Sequence, residues 1–261
     1  MDTITGRVAH DSLFFRDDGQ LESHVVFIYD PEADASSIAI RDGMVIPETD
    51  GEVVASVGGV SLFRNGRLLT TVDSDAGLTH LVLWESGALR SLMTDGGAHG
   101  GAEVTRLFAT ALDRDGRSYA VGAGDGRGLP QVLLRVDPGE TAPVVIAAAG
   151  QSLPGGGEIA GLLREAVADG GAAFLASVVG GLGAVGAYTA VGGELRALGL
   201  QGGEAPGLPG VSIADVGFLR ASGTTCAFLT KLQGAGVTPE NDFALYVADL
   251  ALDPNPRVVL R

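Results

Sequence analysis

The stretch Gly150-Gln151-Ser152-Leu153-Pro154-Gly155, followed by Asp169-Gly170-Gly171-Ala172-Ala173-Phe174, decides the fold. Its first piece sets a glycine, which accepts positive φ, four residues before a proline, which fixes φ. Together they shape a turn that leaves a strand. Its second piece is an Asp-Gly hairpin turn, with Leu162-Leu163 ahead of it and Ala172-Ala173-Phe174-Leu175 behind. Apolar runs on both sides of such a pair predict two antiparallel strands.

The same punctuation recurs along the chain. Gly43, Gly96, Gly150 and Gly202 each close an apolar strand, at spacings of 53, 54 and 52 residues. Pro47, Pro154 and Pro206 follow three of them by four residues, and Gly100 stands at that place in the second copy. The pairs Asn65-Gly66, Asp115-Gly116, Asp169-Gly170 and Ser222-Gly223 fall 20 to 23 residues after a closing glycine. Two further apolar runs complete each copy. They are 24–29 with 38–43, 81–84 with 89–93, 132–136 with 144–146, 187–190 with 195–198, and 243–247 with 258–261. Each unit therefore holds four short strands, a to d, with the Asn/Asp-Gly pair between a and b. Glu158 to Val167 comes nearest to helical periodicity, but the repeat demands a strand there. Four antiparallel strands repeated at a fixed period describe the blades of a β-propeller.

The expectation is an all-β, single-domain, five-bladed β-propeller with repeats at 1–43, 44–96, 97–150, 151–202 and 203–261. The first unit is about ten residues short of the period of about 53, which leaves it only strands b, c and d, at Gly6–Arg16, Ser23–Asp30 and Ser37–Asp42. Two other counts stay open: Asp2–Val8 as a short strand a, or a four-bladed ring with an appended sheet. A missing inner strand leaves a sheet edge that a partner segment or a second copy fills by strand addition.

The Gly150–Gly155 motif, with Asp169–Phe174 behind it and Gly202-Gly203-Glu204-Ala205-Pro206-Gly207 further on, resembles a family of uncharacterised bacterial propeller-like proteins. Their repeats run Gly-Asp-x-x-Pro-Gly, then Asn-x-x-Gly-x-Val-Ala-Phe. The match is clear in the repeat from Gly150, partial in the repeat from Gly202 and weak elsewhere. The resemblance implies the propeller fold and no catalytic residues.

Composition removes several function classes. The chain carries 32 Asp+Glu against 17 Lys+Arg, a formal charge of −15, which repels phosphate backbones and anionic lipid; nucleic acid and membrane are not expected partners. No run of about 18 apolar residues is present to span a bilayer. Met1-Asp2-Thr3-Ile4-Thr5 lacks a basic start and an apolar core, so no export signal is expected. The 41 glycines do not recur every third residue, which excludes collagen. Cys226 is the one cysteine and reads as a small core residue.

No Gly-x-Ser-x-Gly elbow, phosphate-binding loop or His-Glu-x-x-His occurs. Gly181-Leu182-Gly183-Ala184-Val185-Gly186 matches a dinucleotide fingerprint in letters. It lies between strands b and c rather than between a strand and a helix, so it reads as a hairpin loop. Asp73–Gly77 and Asp113–Gly116 lack the glutamate that a calcium loop of the EF-hand kind needs. His24 and His80 stand at the start of strand c and read as structural.

Two groups of candidates remain. The d–a connections carry Glu48, Asp50, Glu52, His99, Glu103, Glu158 and Glu204, and the b–c connections carry Asp73, Asp75, Asp125, Glu240 and Asp242. In a propeller these emerge on one face, an acidic rim for a cationic or protein ligand. The inner strands carry Arg106, Asp113, Arg164, Glu165, Asp215 and Arg220. These would serve a small ligand or, in the alternative reading, a hydrolase or lyase with its active site at the central tunnel. The favoured reading is a binding or scaffold module.

Overall fold

The computed structural model describes residues 7–15, 17–19, 21–58, 62–64, 66–99, 102–124, 129–140 and 142–260. Among these residues every regular element is a β-strand, as the repeat predicts. Asp2–Gly6, Arg16, Asn65, Gly100 and Asp125 lie outside the described residues.

Strands β1 (Val8–Phe15), β2 (Leu21–Asp30) and β3 (Ala35–Arg41) form a three-stranded antiparallel sheet in that order. The second sheet holds β4 (Val54–Val57), β5 (Leu62–Arg64), β6 (Arg67–Ser74), β7 (Thr79–Glu85) and β8 (Ala88–Thr94). Its order is β4-β6-β7-β8, and β5 also pairs with β6. The expected inner strand is thus in two pieces. The break follows Gly58, whose N–H donates to the Thr71 carbonyl at 2.6 Å and where a Cβ would overlap the Thr71 side chain. A small hairpin of β9 (Gly97–His99) and β10 (Ala102–Val104) comes next. Three four-stranded sheets complete the chain. They are β11 (Arg106–Leu112), β12 (Ser118–Ala123), β13 (Val132–Val136), β14 (Val144–Ala148); β15 (Glu158–Ala168), β16 (Gly171–Val179), β17 (Val185–Val191), β18 (Glu194–Leu200); and β19 (Val211–Ser222), β20 (Thr225–Gly234), β21 (Phe243–Asp249), β22 (Asp253–Leu260). Each is ordered as the chain runs.

The closing glycines explain the motif. Gly43, Gly96, Gly150 and Gly202 have φ of 73°, 83°, 80° and 82°, a region that an L side chain enters only at a cost. Each N–H donates across to the start of the next repeat, to Val54, Val104, Ile159 and Ile213 carbonyls at 2.7–2.8 Å. Three residues on, Ile46, Leu153 and Ala205 are buried and donate back across the same turn. The proline then opens the loop. The motif is a knot that joins strand d of one sheet to strand a of the next, anchored by one buried apolar side chain. The a–b glycines Gly66, Gly116, Gly170 and Gly223 also have positive φ, as hairpin turns of this kind require.

A second device was hidden in the sequence. The residue before a closing glycine caps the start of strand c. Asp42 accepts from His24 N–H at 2.8 Å, Asp95 from Thr79 N–H at 3.1 Å, and Gln201 from Ala184 N–H at 3.0 Å. By this measure His24 is equivalent to Thr79, one residue off the expected match with His80.

Contacts divide the chain into two compact units. One comprises Met1–Ala98, Glu103–Asp125 and Leu134–Val144; the other His99–Ala102, Gly126–Leu133 and Val145–Arg261. The core of the first includes Val26, Ile40, Ile46, Leu68, Val82 and Trp84. The core of the second includes Leu198, Ile213, Leu219, Phe228 and Tyr246. Aromatic pairs facing each other across strands b and c stack there. Phe174 lies on Tyr188 with ring centres 5.7 Å apart, and Phe228 on Tyr246 at 5.2 Å. Such a pair adds about 0.5–1.5 kcal/mol beyond its buried area.

Candidate functional site

In each unit taken separately, the d–a and b–c connections share one end of the sheets, as the repeat implies. In the first unit Val53 N–H donates to the Asp75 carboxylate at 3.0 Å and Ser56 to Asp73 at 2.8 Å. In the second, Gly157 approaches Val179 and Gly181 so closely that a Cβ would clash. The acids on these connections are mostly spent on local structure. Glu52 accepts from the buried His80 at 2.9 Å, and bonds from Ser74 and His80 hold its carboxyl below the usual range. Glu48 takes a left-handed φ of 63° and accepts from Ser91 N–H at 3.0 Å. Asp242 faces Lys231 at 3.6 Å, and the Thr238 hydroxyl lowers the Glu240 carboxyl. Asp50, Glu103, Glu158 and Glu204 are exposed on their loops and strand ends. His99 takes the place of the buried apolar anchor of the closing motif, three residues after Gly96, and its Nε2 is buried with no hydrogen-bond partner among the described residues. Among the described residues no group of three His, Cys, Asp or Glu is arranged to hold a metal.

The inner-strand candidates separate sharply. Asp113 lies beyond the end of β11, in the a–b turn, with its side chain fully buried. It accepts from Arg117 N–H at 2.8 Å and Arg117 Nη1 at 3.2 Å, and lies 3.5 Å from the Tyr119 hydroxyl. Arg117 also reaches Asp115 at 2.9 Å and Asp137 at 3.4 Å. Burial alone would lower the Arg117 guanidinium, but Asp113 and Asp115 raise it. Burial and the Asp113 charge push the Tyr119 phenol well above its usual value. Asp113 is thus the centre of a structural clasp and is not available to a ligand, contrary to its place among the candidates. Arg106 is exposed at the start of β11.

Arg164 and Arg220, by contrast, come together. They sit on β15 and β19, the first strands of the last two sheets, and both guanidinium groups approach the ring of Phe218, at 5.9 and 4.5 Å from its centre. Phe218 is 48% exposed. Among the described residues no carboxylate pairs with either guanidinium. Arg220 donates only to the neighbouring Leu219 carbonyl, at 3.0 Å. Glu165, next to Arg164, is half-buried, and that burial raises its carboxyl above the usual range. Asp215 is exposed on β19 and accepts from the adjacent Val216 N–H at 2.9 Å, apart from the arginines' contact.

Bulges produce this placement. The pairing of β15 with β16 slips between Leu162 and Arg164, and that of β19 with β20 slips between Val216 and Leu219. A bulge inserts an unpaired residue and re-aims the side chains beside it. Phe218 is a candidate residue that motif reasoning missed. The available signal was Gly217, a glycine inside a strand pattern, which marks such a bulge.

No protein-family model matches the chain, and no curated protein matches it. Solved structures are similar in shape. TolB from Acinetobacter baumannii aligns with a TM-score of 0.44 and 11% identity, over 98% of this chain and 53% of that one. An oligogalacturonate lyase in complex with manganese aligns at 0.49 and 12%, over 96% and 65%. The β-propeller domain of the Trilobed protease from Pyrococcus furiosus aligns at 0.41 and 11%, over 97% and 79%. This chain spans less than two thirds of the first two. The likeness concerns the path of the sheets, and no residue role or activity is carried from it.

Proposed function

We propose that the chain is a binding module: a five-bladed β-propeller with a three-stranded first blade, of the repeat family whose turns read Gly-x-x-x-Pro-Gly. Its ligand is anionic, engaged through Arg164, Phe218 and Arg220. The single observation that carries this is two guanidinium groups on one exposed aromatic ring, unpaired by carboxylate, in a chain of charge −15. Holding like charges together disfavours the free state, and an anion relieves it. The apolar ring beside them suits a ligand whose carboxylate or phosphate adjoins a flat apolar part. Titration with benzoate and phenyl phosphate, followed by the heat of binding, tests the reading. Binding that weakens at least tenfold in R164A/R220A and in F218A supports it. Binding unchanged in these variants refutes it, and turnover of phenyl phosphate would favour a hydrolase instead.

The first sheet supports a second role, docking of a partner or a second copy by strand addition. Among the described residues strand β1 pairs with β2 alone, and it exposes Leu13, Phe14 and Phe15 at 51%, 46% and 58%. An open edge with apolar side chains favours an added strand. A change in molecular mass on L13S/F14S/F15S substitution supports this role; a monomer before and after removes the self-pairing version.

A further inference from the structure

A cleft in the first unit has a different chemistry. About 270 Å³ in volume, it is lined by Arg67, Leu83, Glu85, Ala88 and Arg90 on one side and by Gly116, Pro138 and Gly139 on the other. The first group shares one face of the second sheet. Arg67 stands opposite Glu85 on the neighbouring strand, Ala88 opposite Glu85, and Arg90 opposite Leu83. The second group comes from two turns, the a–b turn between β11 and β12 and the c–d turn between β13 and β14.

Those two turns are clamped. Arg117 binds Asp113 and Asp115 in the first turn and Asp137 at the base of the second, and Arg135 also binds Asp137, at 2.8 Å. The wall is therefore held before any ligand arrives, which lowers the ordering cost of binding. Gly116 closes the wall at a φ of 85°, so near the Arg67 guanidinium that a Cβ would overlap it. Arg67 is fixed on its other side by Glu85, through Nε to Oε1 at 2.5 Å.

This leaves an unbalanced set of charges. Arg67 and Glu85 neutralise each other, while Arg90 has no carboxylate partner among the described residues. Glu85 is half exposed, and among the described residues its second carboxylate oxygen has no hydrogen-bond partner. Arg90 lies diagonally from Glu85 across the strand pair, a separation of about 7–8 Å. The cleft thus offers an anion receptor and, one small molecule away, an acceptor for a donor group.

We propose that this cleft binds a small carboxylic acid bearing a hydroxyl or ammonium group on the adjacent carbon. Arg90 takes the carboxylate, which matches the guanidinium fork. The free Glu85 oxygen accepts a hydrogen bond from the hydroxyl or ammonium group. The volume lies just under the usual range for ligand pockets, which limits the ligand to a few carbons. The site is separate from the one formed by Arg164, Phe218 and Arg220, and shares no residue with it.

The test uses the full chain and ligand-observed saturation-transfer NMR, with L-lactate and L-serine as probes and acetate and methylamine as controls. The expected result is transfer to lactate or serine at millimolar concentration, at least tenfold weaker for acetate and methylamine. R90A is expected to weaken binding of the probe at least tenfold, with R90K in between because it keeps the charge and loses the fork. If R90A is not folded by circular dichroism, R90K against E85Q decides, since both leave the sheet's volume nearly unchanged. R164A/R220A is expected to leave this binding unaltered. No transfer to either probe, equal transfer to acetate, or transfer unaffected by the Arg90 and Glu85 substitutions would each overturn the proposal.

Discussion

The first sheet and the last are built from the same repeat and reach different ends. In β19–β22 a buried Phe228–Tyr246 stack, Cys226, Leu219 and Leu232 fill the space beneath long strands. In β1–β3 the core narrows to Val25, Val26, Ile28, Ala39 and Ile40, and β1 leaves its apolar residues Leu13, Phe14 and Phe15 exposed. A fourth strand is what separates them. With four strands, a blade has two central strands whose side chains are covered on both faces. With three, strand b becomes an edge, and residues that the repeat would bury are left to water. The last sheet holds the larger set of buried apolar side chains; the first leaves those of β1 exposed.

Substitutions can break this contrast. Phe228→Ala is expected to cost about 3–5 kcal/mol in denaturant unfolding, through lost burial and the cavity it leaves. Phe14→Ala is expected to stay within about 0.5 kcal/mol, as an exposed change does. Equal losses would mean that the first sheet is covered in solution. A smaller effect separates the turns. Gly202→Ala is expected to cost more than Gly43→Ala. Both pay about 1–2 kcal/mol for a left-handed backbone, but only at Gly202 would a Cβ meet another group, the Leu182 carbonyl at 3.0 Å.

Two chemical readouts sharpen the picture within the second unit. Burial raises the Glu165 carboxyl in the folded state, so its stabilising contribution is complete below its ordinary range and is lost as pH rises through the raised value. Glu165→Gln is therefore expected to gain stability over the parent as pH rises from the ordinary carboxylate range through the raised value, then level off. Thermal melts across that range check the sign. Burial also pushes the Cys226 thiol up to about 11, so labelling by a thiol reagent at neutral pH is expected only after unfolding. Rapid labelling of the native chain would show that the last sheet opens locally.

Much of the local architecture was legible because glycine and proline act through the backbone alone. The closing glycines, the a–b hairpins and the strand at 158–168 all follow from φ preferences and apolar runs. Within each unit, the d–a and b–c connections approach one another, as between Val53 and Asp75 and between Gly157 and Val179. Their chemistry was not legible, because a list of acids does not reveal that Glu52 is bonded to His80 or that Glu48 accepts from Ser91. Inner-strand depth misled for another reason. Counting from the a–b glycine assumes an unbroken period of two, and bulges in β4, β11, β15 and β19 interrupt it. Asp113 thus fell into a turn, while Arg164 and Arg220 met over Phe218.

The amino-acid sequence by itself determined the punctuation of the chain: where strands stop, which turns reverse, and that the unit repeats. These are properties of single residues and their immediate neighbours, set by allowed φ and by the presence of a Cβ. Only the tertiary structure decided which charges are spent and which remain free. Pairing depends on groups far apart in the chain, such as Arg117 with Asp137, and on bulges that no residue type announces alone. Arg90, Arg164 and Arg220, which have no carboxylate partner among the described residues, carry the proposals because folding has already partnered many of the chain's other charges.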